Sequence, residues 1–246
     1  MINLIQHDEL TSTNEWLEMM LSKGVDLPEW TVVSTDYQSK GKGQIGNIWC
    51  SNKGENLLFS LLLHPSFIEI KRYFYISMVT SLAIRNALTQ FVSDITIKWP
   101  NDIYYRNQKI TGILIENSLL GSTISASIIG VGQNVNQTEF PEWIPNPVSL
   151  KQILNKEVDR KSVLNAILVQ TENMYNRLQN GDFENIRKDY LQSLYHRDGY
   201  YKYESKGEVF EARILTVEDN GELVLLDKNG DERRFMFKEV SFVIEA

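Results

Sequence analysis

Cysteine, histidine and net positive charge are all scarce in this chain of 246 residues. The single cysteine, Cys50, excludes an intramolecular disulfide, and one cysteine with three histidines is too few for a Cys/His zinc cage. Any metal site must therefore use oxygen ligands, which favours magnesium. Lys and Arg total 25 against 32 Asp and Glu, a net charge of -7, so we do not expect nucleic acid as a main partner.

Long apolar runs are also missing, since a membrane-spanning helix needs about 20 such residues. The longest run, residues 57–63, is interrupted by Ser60, and the N-terminus has no basic segment before its apolar residues. These absences predict a cytoplasmic protein without a membrane partner. Hydrophobic residues make up 42% of the chain and charged residues 23%, which is typical of a folded globular protein.

The spacing of apolar residues predicts a mixed α and β domain followed by a small all-β tail. From Gly199 onwards, short apolar segments alternate with Asn220-Gly221 and Asn229-Gly230, which predict type I′ hairpin turns. We therefore place a domain boundary between residues 198 and 199. The predicted strands are 2–6, 31–37, 56–63, 94–98, 110–116, 122–129, 209–217, 223–226 and 233–237, and the predicted helices follow Ser12 and cover 73–91, 163–178 and 183–194.

Residues 41–46 read G-K-G-Q-I-G, a literal match to the dinucleotide-binding fingerprint. That fingerprint requires a helix to begin at the loop, and the following residues predict another strand instead, so a Rossmann fold is excluded. Three glycines can still form a backbone nest for an anion, to which Lys42 adds charge. An ordinary glycine-rich hairpin loop explains the segment equally well.

Three further segments place polar residues beside predicted strands. In K-W-P-N-D, residues 98–102, Asp102 is suited to magnesium on a nucleotide phosphate, although the same residues are common in plain turns. Lys109 begins an apolar strand in which Gly112 leaves room for a ligand, although most lysines at strand ends are simply solvated. Residues 130–136 (G-V-G-Q-N-V-N) form either a cradle for a flat ring or a loop.

Ser12, followed three residues later by Glu15, predicts a capping box at the start of a helix. That box explains both residues without any ligand. The free N–H groups of a helix N-terminus nevertheless suit a polar ligand.

Taken in order, these segments resemble the biotin–protein ligase family. The resemblance rests on residues 12–14 (S-T-N), Gln38, 41–49 (G-K-G-Q-I-G-N-I-W), 98–102, 109–116 (K-I-T-G-I-L-I-E) and 130–136. It implies an α+β fold, with a mixed β-sheet flanked by helices over residues 1–198 and a small SH3-like β-barrel over 199–246. It also implies a monofunctional form, without an N-terminal DNA-binding domain and without a DNA partner.

The resemblance implies an ATP-dependent ligase that converts biotin to biotinyl-5'-AMP and then transfers it to a lysine on the biotin carboxyl carrier domain of a carboxylase. It implies ATP and biotin as substrates, with Mg2+. The implied catalytic residues are Lys109 and Lys42, and Asp102 is the implied metal ligand. The implied biotin contacts are Ser12, Thr13, Asn14, Gln38, Gly41, Lys42, Gly43, Gln44, Lys109, Gly112, Gly130 and Gly132. The implied nucleotide contacts are Lys42, Gln44, Trp49, Asn101 and Asn134.

Many relatives carry arginine where this chain has Lys42, Gln44 and Asn47, so we expect weaker retention of the adenylate here. Two alternatives stay open, a lipoate or octanoate ligase and a non-catalytic protein that binds biotin or a nucleotide. Either a monomer or a homodimer is compatible with the sequence.

Overall fold

The longest apolar segment of the sequence forms the middle of a seven-stranded sheet. The structure is a computed structural model that describes residues 2–44 and 46–244. The strands run in the order β1-β2-β3-β7-β6-β5-β4, and β1 and β2 are parallel while the other pairs are antiparallel. The strands of this sheet are β1 (Asn3–His7), β2 (Thr31–Thr35), β3 (Leu57–Leu63), β4 (Ile95–Lys98), β5 (Asp102–Tyr105), β6 (Gln108–Leu120) and β7 (Thr123–Gln133).

Both faces of this sheet are covered, which explains why every residue of β3 is buried. Alternate side chains point to opposite faces, so Leu61 and Leu63 join the larger core while Leu62 joins a smaller one beneath α1. Helix α2 packs against α4 and α5 on the larger side. The helices are α1 (Thr13–Ser22), α2 (Phe74–Leu88), α3 (Leu150–Leu154), α4 (Arg160–Gln179) and α5 (Phe183–Gln192), with a 3-10 turn at Ile70–Arg72.

A second sheet, antiparallel and five-stranded, forms the C-terminal part of the chain in the order β11-β10-β9-β8-β12. Its turn at residues 218–222 contacts helix α2, because the Tyr75 hydroxyl donates to the Asp219 carboxylate. The same turn contacts Trp99, which follows β4: Trp99 Nε1 donates to the Gly221 carbonyl at 3.0 Å. Gly221 has φ +84°, and a Cβ there would lie 2.5 Å from the Phe74 ring. The strands are β8 (Tyr201–Ser205), β9 (Glu208–Val217), β10 (Leu223–Asp227), β11 (Glu232–Phe235) and β12 (Ser241–Phe242).

The predicted fold class is confirmed, because a mixed sheet flanked by helices precedes a small antiparallel sheet. The prediction missed β5, β8, β12 and the short helix α3, and it ended β7 too early. Residues 130–133 therefore belong to a strand and not to a loop. The predicted helix 73–91 is shorter at both ends. The predicted boundary at residue 198 falls between α5 and β8.

The prediction of type I′ turns was wrong. Only the glycine of each Asn-Gly pair has a positive φ, whereas type I′ needs positive values at both central residues. Gly221 N–H donates to the Glu218 carbonyl, and Gly230 N–H donates to the Asp227 carbonyl. The loops are longer than two residues, and loops of this kind reverse direction through an ordinary turn that ends on a left-handed glycine.

His196 lies in the segment between the two sheets, stacked between two tyrosine rings. Its ring centroid is 3.8 Å from that of Tyr195 and 3.8 Å from that of Tyr201. Burial in this stack, together with a smaller effect of the nearby Lys98 charge, lowers the pKa of His196 to about 4. The residue has φ +60°, in the left-handed region. The folded protein therefore holds a neutral imidazole at this junction down to low pH.

We expect His196 to make unfolding easier as the pH falls from about 6.5 to about 4. In that window the unfolded chain binds a proton on His196 while the folded protein does not, so the free energy of unfolding decreases with falling pH. His196→Asn tolerates the left-handed backbone and removes this titration. Urea denaturation at several pH values should therefore show the wild type losing more stability than the variant. A difference between the two proteins that stays constant with pH would contradict the assignment.

Candidate functional site

The N-terminus of α1 presents buried hydrogen-bonding side chains to the centre of the sheet. Ser12 caps the helix, and its Oγ accepts from the Glu15 N–H at 3.5 Å. Thr13 and Asn14 follow, each 3% exposed. Glu15 does not turn back to complete the predicted capping box, because its carboxylate pairs with Lys42 at 2.7 Å. The box is thus half formed, and Glu15 is directed towards the glycine-rich loop, which we define as residues 41–49.

A hydrogen-bond network fixes the first helical residues. Gln38 Oε1 accepts from the backbone N–H of Thr13 at 2.7 Å and from its hydroxyl at 3.0 Å. Ser60 Oγ lies 2.6 Å from Thr13 Oγ1 and 2.5 Å from Asn14 Oδ1. Asn14 Nδ2 donates to Glu116 Oε2 at 2.7 Å. The sequence analysis named Ser60 only as the break in an apolar run and included Glu116 only as the end of a motif, and it gave neither residue a role in the site.

Three glycines on β6 and β7 allow two side chains to lie directly on the sheet. A Cβ on Gly130 would come within 2.3 Å of Asn14 Oδ1. A Cβ on Gly112 would come within 2.6 Å of the Trp49 ring, and a Cβ on Gly132 would come within 2.3 Å of it. The resemblance implied that Gly112 makes room for a ligand ring; in this structure the Trp49 indole occupies that space. Trp49 Nε1 is buried without a hydrogen-bond partner among the described residues.

The described residues of the glycine-rich loop, 41–44 and 46–49, form a narrow hairpin, as the simpler sequence interpretation predicted. Trp49 N–H donates to the Gly41 carbonyl at 2.9 Å, and Gly43 N–H donates to the Asn47 carbonyl at 2.9 Å. Gly41, the first residue of the loop, is buried against its last residue, since a Cβ on Gly41 would lie 2.3 Å from the Trp49 carbonyl oxygen. Gln44 Nε2 donates to the Asn101 side-chain oxygen at 2.9 Å.

Charged side chains meet on the other side of Trp49. Lys109 Nζ lies 2.7 Å from Asp102 Oδ2 and 5.8 Å from the Trp49 ring centroid. Lys98 Nζ donates to the Tyr104 hydroxyl at 3.2 Å. Burial lowers the pKa of Lys98; the Asp102 carboxylate opposes this shift and the Lys109 ammonium adds to it. The K-W-P-N-D segment therefore contributes a carboxylate, Asp102, that pairs with Lys109, and an ammonium group, Lys98, that is affected by both charges.

Two cavities adjoin at these residues. The first cavity is lined by Ser12, Thr13, Asn14, Gln38, Lys42, Gly43, Gln44, Asn47, Ile48, Trp49, Asp102, Lys109, Gly112, Ile113, Leu114, Gly130, Val131 and Gly132. The second cavity is lined by Gly46, Asn47, Ile48, Trp49, Cys50, Lys98, Asp102, Tyr104, Lys109, Asn134, Phe140, Trp143, Ile144, Pro145 and Pro147. Five residues belong to both linings and form the wall between the cavities: Asn47, Ile48, Trp49, Asp102 and Lys109.

All predicted site residues except Gly41, Asn101 and Asn134 line the first cavity. Lys42 and Lys109, the two predicted catalytic lysines, therefore share one cavity. Asn134 lines the second cavity, where its Nδ2 donates to the Val148 carbonyl at 3.1 Å and its buried Oδ1 has no partner among the described residues. Asn101 is buried outside both linings; its Nδ2 donates to the Ile113 carbonyl at 3.1 Å.

The sequence analysis missed the apolar rim of the second cavity. Phe140, Trp143 and Ile144 come from residues 137–149, a segment with three prolines to which the sequence analysis assigned no role. Trp143 is 60% exposed and adds aromatic surface to the rim of this cavity. Two aromatic residues among three prolines were the signal in the sequence.

The donor set for a metal is small. No group of three or more His, Cys, Asp or Glu side chains in the described ranges is placed to hold a metal ion. Asp102 is the only acidic side chain that lines either cavity in the described part of the chain. One carboxylate fits magnesium that arrives with phosphate, because this ion commonly takes one or two carboxylates and completes its shell with phosphate oxygens and water.

None of the helices in residues 2–44 and 46–244 combines the length and hydrophobicity needed to span a bilayer.

Replacing Ser60 with alanine should destabilise the fold, because Asn14 Oδ1 and Thr13 Oγ1 would lose a buried partner. We expect the free energy of unfolding to fall by about 1–3 kcal/mol, the usual cost of leaving a buried polar group unsatisfied. Ser66→Ala, at an exposed position just after β3, is the matched control. Equal denaturation midpoints for the two variants would show that the network does not stabilise the fold.

The family described as Biotin/lipoate A/B protein ligase matches residues 8–134 of the chain. Among curated proteins, the Bifunctional ligase/repressor BirA of Bacillus subtilis is 28% identical over 232 residues, which is 93% of this chain and 70% of that protein. The Biotin--[acetyl-CoA-carboxylase] ligase of Mycobacterium tuberculosis is 24% identical over 166 residues, 65% of this chain and 59% of that protein.

A solved structure, the biotin protein ligase from Aquifex aeolicus in complex with biotin and ATP, is similar over the whole chain. It superposes with a TM-score of 0.81 at 27% identity, covering 99% of each chain. The similarity extends across both sheets, well beyond the part that the family match covers.

Proposed function

Because the chain belongs to the biotin/lipoate A/B protein ligase family, we propose that it is a biotin–protein ligase. It activates biotin with ATP to biotinyl-5'-AMP and then transfers biotin to a lysine of the biotin carboxyl carrier domain of a carboxylase. The relatives support biotin over lipoate, because the proteins described above are biotin ligases and the Aquifex aeolicus structure contains biotin and ATP. One observation carries the assignment: the two cavities meet at Lys109, where two substrates can be joined.

The first cavity suits the fused ring of biotin. The ureido group presents one carbonyl acceptor and two N–H donors, and Ser12, Thr13 and Gln38 offer hydroxyl and amide groups of both kinds. The buried network holds these side chains in place before a ligand arrives, which reduces the entropy cost of binding. The biotin carboxylate would then lie towards Lys109.

The second cavity suits the adenosine of ATP. The unpartnered Oδ1 of Asn134 can accept a hydrogen bond from the adenine amino group, which relieves the cost of a buried acceptor without a donor. Phe140 and Trp143 offer apolar and aromatic surface to the purine. A product that joins the two substrates must bend around Trp49, because that indole separates the cavities.

In the first reaction, a biotin carboxylate oxygen forms a bond to the α-phosphorus of ATP, and the bond from that phosphorus to pyrophosphate breaks. Negative charge gathers between two anions, so an ammonium group at that point stabilises the transition state. Lys109 lies on the wall common to both cavities, and Lys42 approaches the first cavity from the loop. A lysine has three N–H donors, so Lys109 can keep its contact with Asp102 while binding a substrate oxygen.

We propose that Asp102 also holds Mg2+, which would neutralise phosphate charge when bound. The carboxylate is placed for this role because it faces both cavities.

In the second reaction, the neutral ε-amine of the carrier lysine attacks the acyl carbon of the adenylate. A C–N bond forms, the C–O bond to AMP breaks, and the amine releases a proton. Water would destroy the mixed anhydride before this step, so the glycine-rich loop has to cover the first cavity while the carrier approaches. Loop residues Lys42, Gly43 and Gln44 line that cavity.

Mass spectrometry of a carrier domain tests the function directly. After incubation with the protein, biotin, ATP and Mg2+, the carrier domain should gain one biotinyl group on one lysine. Omitting ATP should abolish the modification, and lipoate in place of biotin should leave the carrier unmodified. Modification by lipoate, or no modification at all, would refute the proposed function.

Replacing Lys109 with alanine should slow biotin-dependent ATP–pyrophosphate exchange by about 100-fold or more, because a charged group aimed at the developing charge is lost. The fold should be little affected, since the Lys109 side chain is partly exposed in its ion pair. Lys188→Ala, an exposed lysine on α5, is the control. Near-native exchange by the Lys109 variant would remove this residue from the mechanism.

A further inference from the structure

The glycine-rich loop is attached to the rest of the protein at two sides. On one side Lys42 pairs with Glu15 of α1. On the other side Gln44 donates to Asn101, whose own Nδ2 is held by the Ile113 carbonyl of β6. Lys42 is the only charged residue of segment 41–49 in the sequence, so Glu15 provides an ionic attachment while Asn101 provides a neutral one.

The Lys42–Glu15 contact is a close ion pair at the rim of the first cavity. The two side chains are 48% and 34% exposed, and the Nζ–Oε1 distance is 2.7 Å. The hydrogen bond from Lys42 lowers the pKa of Glu15, and the Glu15 carboxylate raises the pKa of Lys42. Both groups are therefore charged across the physiological pH range. One N–H of the ammonium faces Glu15, which leaves two for the cavity.

The backbone of Glu15 has little freedom to move, because the two residues before it are held by hydrogen bonds. Thr13 and Asn14 are buried and hydrogen-bonded to Gln38 and Ser60, so the first turn of α1 has little freedom. Glu15 itself lines neither cavity in the described residues. It reaches the site through Lys42.

We propose that Glu15 is a positioning residue: its carboxylate holds Lys42, and with it the glycine-rich loop, over the first cavity, and this slows the loss of biotinyl-5'-AMP. The inference rests on the proposed function. It assigns a part in retaining the adenylate to an acidic residue of α1, to which the resemblance gave no role. An exposed ion pair of this kind supports an effect of about two- to fivefold on the release rate.

The test measures release of labelled adenylate. The wild-type protein is loaded with biotin and ATP labelled at the α-phosphate, and loss of protein-bound label is followed after dilution into unlabelled substrates. We expect Glu15→Gln to release the adenylate about two to five times faster. Glu18→Gln removes the same charge from the same helix, where it acts on Lys42 only at longer range, and it should release at the wild-type rate.

A double-mutant cycle separates positioning from a general effect on structure. In a Lys42→Gln background, Glu15→Gln should cause no further acceleration, because the partner is already absent. Raising the salt concentration should accelerate release from the wild type more than from Glu15→Gln, because salt screens the pair. Glu15→Asp should restore part of the retention. Thermal denaturation of each variant checks that folding is unchanged.

The outcomes distinguish the two proposals. If the wild type forms no labelled adenylate, the proposed function itself fails. If the wild type forms it, and Glu15→Gln releases it at the wild-type rate or accelerates release equally with and without Lys42, the positioning role of Glu15 is wrong. Faster release that depends on Lys42 supports it.

Discussion

The close approach of two side chains to the sheet determines the geometry of the whole site. Gly112 of β6 and Gly132 of β7 are cross-strand partners, and Gly130 lies opposite Ser60 of β3. These positions lack side chains, so Trp49 and Asn14 rest on the strand backbone itself. Trp49 then divides the space above the sheet into two cavities, and Asn14 forms part of the lining of the first. Larger residues at the glycines would displace both side chains.

Both lysines that line the first cavity form ion pairs within the protein. Each lysine on the first cavity has its own carboxylate, Glu15 for Lys42 and Asp102 for Lys109. The partners come from different parts of the chain, so folding alone brings the four groups together. Such pairing keeps the ammonium groups in fixed positions while leaving N–H donors for an anion. Preorganised charge of this kind is effective in catalysis because little rearrangement is needed when the reaction begins.

The sequence predicted which segments form the site better than it predicted their geometry. The order of the motifs identified Lys109, Lys42 and the residues of α1, and these do line one cavity. The sequence could not reveal that Trp49 fills the glycine floor, because that contact depends on how a hairpin folds over strands about 60 to 80 residues away. The break at Ser60 was visible, but its role was not, because the sequence does not show that Thr13 and Asn14 lie beside this hydroxyl. Strand β5 was missed because Asp102 and Asn101 suggested only a turn, while pairing with β4 and β6 extends the chain immediately afterwards.

The small C-terminal sheet contributes no described residue to the lining of either cavity. Its turn nevertheless holds Trp99, two residues before Asn101 and three before Asp102, through the Gly221 carbonyl. The C-terminal sheet thus supports the segment that carries Asp102 without lining either cavity. A larger residue at Gly221 would press on the Phe74 ring and disturb this contact without touching either cavity.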